Sequence, residues 1–163
     1  MLRTLKWRMI VAVSVIAVAA TACGTGQTSP SPVASPSPSA AGPGTVEVSL
    51  QEWAVLPAST SVAAGEVTFQ VTNTGPEDVH EFVVLKTDLD PNDLPVDADG
   101  AVTESGAGIE VIDEIEDIPV GETQALTVTL AAGNYVLLCN IYDDTEKEAH
   151  YAKGMRIAFE VTE

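Results

Sequence analysis

Ala64–Val84 reads AGEVTFQVTNTGPEDVHEFVV, and the fold is decided in this stretch. Val67, Phe69 and Val71 alternate with Thr68 and Gln70, the period-two pattern of a strand with one face on a core. Turn chemistry follows at Asn73–Gly75, and an apolar run resumes at EFVVL, Glu81–Leu85. Working outward, VEVSL (Val46–Leu50), ALTVTL (Ala125–Leu130), YVLLC (Tyr135–Cys139) and RIAFEV (Arg156–Val161) read as further strands. Gly65, Gly121 and Ala132–Asn134 punctuate them, and no helical period competes. Short strands at this spacing without room for crossover helices predict an all-β domain, an antiparallel Greek-key β-sandwich. Trp53, Phe69, Phe82, Tyr135 and Phe159 are expected in its core, with no cofactor role. The exception to the strand pattern is a long acidic loop insertion from Lys86 to about Ile118, marked by Pro91, Pro95, Gly100, Gly106 and Gly108.

The segments before the domain are of another kind. Residues 1–22 place Arg3, Lys6 and Arg8 ahead of an apolar run from Met9 to about Ala20, the layout of an export signal and too short to span a bilayer comfortably. ATAC, ending at Cys23 and followed by Gly24, resembles the lipobox of bacterial lipoproteins, which implies acyl chains on Cys23 as a membrane anchor. Residues 23–44 then form a Pro/Ser/Gly-rich tether that cannot bury a core. As coil or polyproline it would hold the domain roughly 25 to 65 Å from the anchor. Residues 45–163 remain as one domain of ordinary size, which argues against a multidomain catalyst. The expected location is therefore extracytoplasmic, at the cell membrane.

The chain has 24 acidic and seven basic residues, three of the latter in the leader, so its mature form carries a net charge near −20. That balance disfavours nucleic acid as a partner and suits solubility or the steering of a basic protein. An EF-hand reading of DLDPNDLPVDAD starts well, with Asp88, Asp90 and Asn92 at the first, third and fifth positions. It fails at Asp93, where the turn needs Gly, and at Asp99, which is too short to replace the bidentate Glu.

Soft-metal donors are scarce and grouped. The chain has two histidines, His80 and His150, and the stretch CNIYDDTEKEAHYAKGM brings Cys139, His150 and Met155 together. With Cys23 acylated, Cys139 has no disulfide partner in an oxidising compartment, and metal ligation would account for it. One thiolate, two imidazoles and one thioether is the ligand set of a blue-copper centre: thiolate stabilises Cu(I), imidazole suits both oxidation states, and a weak thioether tunes the potential.

On these residues the chain resembles a cupredoxin over the whole domain. AGEVTFQVTNTGPEDVHEFVV is similar to the family segment delivering the first histidine, and LAAGNYVLLC followed by HYAKGM is similar to the segment delivering the other ligands. The resemblance implies one mononuclear type 1 copper, with His80, Cys139 and His150 equatorial and Met155 axial. It also implies single-electron transfer rather than catalysis, since such a set fills the positions that a catalytic metal keeps open. Electrons would pass through the edge of His150, where the family's ligand loop reaches the surface. The segment between Cys139 and His150 is longer than is usual in the family, and Glu81 stands where Asn is common. Its acidic residues Asp143, Asp144, Glu146 and Glu148 form a candidate docking face for a redox partner with a basic surface. The expected protein is a monomer; copper sequestration or delivery, and a metal-free binding or adhesion module, are the alternative functions.

Overall fold

The computed structural model describes residues 44–163, and the leader, Cys23 and most of the tether lie outside them. Eleven strands make up nearly all of the regular structure. They are β1 (Thr45–Gln51), β2 (Ala54–Pro57), β3 (Ser61–Ala63), β4 (Gly65–Asn73), β5 (His80–Lys86), β6 (Glu110–Ile118), β7 (Thr123–Leu130), β8 (Gly133–Leu138), β9 (Tyr142–Asp143), β10 (Glu148–Ala149) and β11 (Arg156–Thr162). One helical turn, α1 (His150–Lys153), interrupts them. Two sheets, ordered β2-β1-β4-β7 and β3-β11-β8-β5-β6, build the sandwich, and β9 and β10 pair apart as a small hairpin.

The alternation in β1 and β4 does what it predicts. Val46, Val48, Leu50, Val67, Phe69 and Val71 all bury toward a core that also takes Phe82, Val84, Leu137 and Phe159. Phe69 lies between Phe82 and Phe159, with ring centroids 5.3 and 5.7 Å away in tilted and edge-on contacts that suit aromatic pairs.

In two respects the sequence reading is corrected. The sheets are mixed rather than purely antiparallel, because β1 runs parallel to β4 and β3 runs parallel to β11. β1 and β4 are joined by a short connection carrying β2 and β3, and β3 and β11 lie nearly a whole domain apart in sequence, so neither pair shows the crossover helix that marks a parallel sheet. Moreover, the last nine residues of the expected loop insertion are strand β6, paired with β5. Acidic side chains depress its strand propensity, but β6 is an edge strand, where charge keeps the open ladder from pairing with other chains.

The remaining loop, residues 87–109, is a packed cover. β5 and β8 are buried on both faces, and their outward Val83, Leu85, Val136 and Leu138 pack against Leu94, Val102 and Tyr151. Continuous apolar runs such as FVVL and YVLL are what two-sided burial requires. Each such side chain contributes about 1.5–3 kcal/mol on full burial, so the cover is a substantial part of the domain's stability. Asp90 and Asn92, weighed as calcium ligands, build this loop instead: Asp90 Oδ1 accepts from the backbone and side-chain amides of Asn92, both at 2.8 Å.

Candidate metal centre

Three strand ends bring the donors together. His80 opens β5 and Cys139 follows β8, and the antiparallel register Val83–Leu138 sets the two at the same end of the sheet. Met155 precedes β11, where its carbonyl accepts the Cys139 N–H at 3.0 Å. Between His150 and Met155 the chain reverses in α1, closed by the Met155 N–H on the His150 carbonyl at 3.1 Å. Gly154 sits at φ 127°, a conformation that L side chains rarely adopt, so the reversal needs glycine there.

The side chains converge. His80 Nδ1 lies 3.3 Å from His150 Nδ1, and Cys139 Sγ lies 3.4 Å from the same nitrogen. All three donor atoms fall within 4.8 Å of one another, and all three residues are buried. Met155 is fully buried in the same core cluster as Cys139. Donors bound to one small ion at about 2.0–2.3 Å would stand about 3.5 Å apart in a trigonal plane, so the observed spacing fits such an ion with little movement. The ring nitrogens that meet are both Nδ1, which leaves each Nε2 free for an outer partner.

Electrostatics keep this pocket neutral. Burial pushes the Cys139 thiol up to about 12, against a smaller pull downward from the N–H groups of Glu81 and Ile141. Burial also holds His80 and His150 below the ordinary imidazole range, with the nearby His150 adding to the effect on His80. A cation entering here would take the thiolate and release its proton. The Glu81 N–H donates to Cys139 Sγ at 3.2 Å and would share the sulfur's charge.

The long segment between Cys139 and His150 folds over the site. β9 and β10 pair Tyr142 with Ala149 and Asp143 with Glu148, and His150 is only 2 % exposed. The expectation that its ring edge reaches the surface is therefore corrected. His150 forms the floor of a concavity of about 470 Å³ whose walls include Asp78, Asp117, Ile141, Asp143 and Asp144. Of the four candidate docking residues, Asp143 and Asp144 reach this concavity. Asp143 Oδ1 also accepts the N–H groups of Thr145 and Glu146, which shapes the hairpin turn. Glu148 pairs with Lys153 at 2.5 Å, which offsets its charge.

Several residues around the site were not legible as functional. Trp53, expected only in the core, is partly buried and stands edge-on to the His150 ring at 5.2 Å. Asn73, read as a turn residue, is fully buried and ties the approach to His80 together: its amide donates to the carbonyls of Asp78 and Ile118 at 2.8 Å each, and its Oδ1 accepts from the Gly75 N–H at 2.8 Å. Asn140 binds both backbone groups of Val102 and the Glu104 carboxylate, fastening the covering loop beside Cys139. The only sequence signal for either residue is an amide next to a turn or a ligand.

Glu81 points away from the sulfur its backbone contacts, into a group with Glu104 and Glu114 whose carboxylate oxygens lie within 4.8 Å of one another. Burial raises Glu81 to about 7, and the charges of Glu114 and Glu104 add to it. A carboxyl raised in the folded state contributes its full destabilisation above the folded pKa, none below the unfolded one, and falling stability between. Glu81→Gln is therefore expected to match the wild type near pH 4.5 and to exceed it in thermal midpoint by a growing margin up to about pH 7. Parallel melting curves across that range would contradict the burial of this charge.

No family model matches the chain, and no curated protein does. Solved structures do. A dithionite-reduced auracyanin from Roseiflexus castenholzii aligns with a TM-score of 0.53 and 24 % identity over 74 % of this chain and 98 % of its own. Auracyanin A of Chloroflexus aurantiacus, described as a "blue" copper protein, aligns at 0.49 and 25 % identity over 74 % and 100 %. Rusticyanin from Thiobacillus ferrooxidans aligns at 0.46 and 19 % identity over 73 % and 78 %. The domain thus has the cupredoxin fold, and the thiol and two imidazoles that it gathers at Cys139, His80 and His150, with Met155 buried in the same cluster, fit one soft metal ion such as copper.

Proposed function

We propose that this chain is an extracytoplasmic, lipid-anchored copper protein that carries single electrons. The observation that carries the reading is the meeting of Cys139 Sγ and two Nδ1 atoms at 3.3–3.4 Å in a buried pocket. Copper held there would supply the Cu(II)/Cu(I) couple. The protein's own part is to keep the donors nearly in place before and after the electron arrives, so that little reorganises. β5, β8 and β11 supply that rigidity, and the covering loop restrains α1 through Tyr151, whose hydroxyl donates to the Pro91 carbonyl at 2.7 Å. The test is the visible spectrum of the protein after Cu(II) is added: an intense thiolate charge-transfer band supports the reading, and only the weak absorption of aqueous-like copper would sink it.

The acidic concavity over His150 favours a partner with a basic projection. Replacing Asp117, Asp143 and Asp144 together by Asn removes charge while keeping Asn-compatible backbone, including Asp117 at φ 50°. Electron transfer to a basic acceptor at low salt is expected to slow by about tenfold, with a flatter dependence on ionic strength. An unchanged rate and salt slope with an unchanged spectrum would reject docking at this face.

The anchor rests on ATAC and the tether. Cys23→Ala is expected to release the protein from membranes or stall its processing, leaving the copper spectrum of the domain unaltered. Equal membrane retention of both proteins would reject lipidation at Cys23.

A further inference from the structure

Two buried side-chain polar atoms among the described residues lack a hydrogen-bond partner, Glu52 Oε2 and His80 Nε2. They belong to residues that face each other: Glu52 Oε1 lies 3.9 Å from His80 Nε2. Glu52 sits in the turn between β1 and β2, and its Oε1 accepts the N–H groups of Glu77 and Asp78 at 3.0 and 2.7 Å. One carboxylate thus grips the segment leading into His80 and looks at the outer edge of its ring. Burial raises the Glu52 pKa, but the hydrogen bonds from Asp78 and Glu77 outweigh it and hold the group below the usual carboxylate range. It is an anion at neutral pH.

A neutral imidazole carries one proton. With His80 Nδ1 turned toward His150 Nδ1 and Cys139, a metal donor role for that nitrogen places the proton on Nε2, where burial excludes water as its acceptor. We propose that Glu52 is a positioning residue for His80: its carboxylate receives the Nε2 side of the ring, holds the tautomer that bares Nδ1, and adds a fixed negative charge behind the metal centre. The inference rests on the copper reading for its last clause, whereas the tautomer is a property of the metal-free chain. In that state, bare His80 Nδ1 accepts and His150 Nδ1–H donates across their 3.3 Å contact. A carboxylate behind a ligand imidazole raises its basicity and favours the more positive oxidation state of the metal.

Ring-nitrogen NMR on the metal-free full chain reads the His80 tautomer directly. The expected result is a proton on Nε2 in the wild type, and a shift of the tautomer ratio toward Nδ1–H by about tenfold in Glu52→Ala, the order expected when a carboxylate facing Nε2 across 3.9 Å is removed. Glu52→Gln keeps an oxygen for the Glu77 and Asp78 N–H groups, so the loop and the melting curve stay as in the wild type while the charge is lost. With copper added, Gln is expected to weaken Cu(II) binding relative to Cu(I) by about tenfold, a rise in potential of about 59 mV. A wild-type His80 protonated on Nδ1, or a ratio that neither variant moves, overturns the inference, leaving Glu52 as a loop cap alone. A chain that binds no copper yet shows the tautomer shift would remove the copper reading and leave Glu52's role standing.

Discussion

Cys139→Ser is expected to abolish the intense visible band of the copper-loaded protein completely, while the far-ultraviolet circular dichroism of the strands persists. The band requires charge transfer from a thiolate sulfur, and the described residues contain no other cysteine. Serine fits the space and accepts the Glu81 N–H that now reaches Sγ at 3.2 Å, so the change removes the electronic function without removing the packing. A serine hydroxyl does not ionise near neutral pH as a thiol does when a metal draws off its proton, so affinity for copper falls with the colour. Titration of both proteins with Cu(II), followed by absorbance and by retained metal after gel filtration, measures the two losses separately. Persistence of an intense band in the variant would show that the chromophore is not built on Cys139.

Asn73→Leu is expected to cost about 3–5 kcal/mol of folding stability, the largest single-residue effect outside the core. Removing the side-chain amide strands the carbonyls of Asp78 and Ile118 and the N–H of Gly75, and each buried polar group left without a partner costs about 1–3 kcal/mol. Leucine fills the volume, so the loss isolates the hydrogen bonds from any cavity. Asn73→Asp keeps the acceptor for Gly75 but sets a buried carboxyl oxygen against the carbonyls of Asp78 and Ile118, and should cost at least as much. Urea unfolding with an unchanged m value measures the difference, and a loss below about 1 kcal/mol would show that the approach to His80 is held by its backbone alone.

Both predictions draw on residues of very different legibility. The donors could be found because Cys139, His80, His150 and Met155 are chemically rare in this chain, and rarity with spacing is a signal that survives without coordinates. β1, β4, β7 and β11 could be found because one of their faces is wet, so period two is written plainly. β6 could not, since an acidic edge strand has the composition of a loop, and the partner that makes it a strand lies a chain segment away in β5. The wall beside His150 was hidden for a similar reason. YDDTEKEA looks solvated, and only the pairing of Tyr142 with Ala149 turns it into a hairpin that sets Asp143 and Asp144 at the rim of the concavity. Glu52, Asn73 and Asn140 act through contacts with residues distant in the sequence, which no local pattern encodes.

The parallel pairing of β3 with β11 has a bearing on how the molecule comes into being. Thr162 and Val62 meet although 100 positions separate them, so the larger sheet acquires its outer strand β3 only when β11 is in place. Met155 and His150 lie just ahead of that last strand, and Cys139 binds Met155 through the backbone at its foot. Contacts of such range slow folding, because the loop must close before any of its pairing is gained. The donors therefore come together only once β11 has docked against β8 and β3, and a chain that holds a metal between them is a folded one.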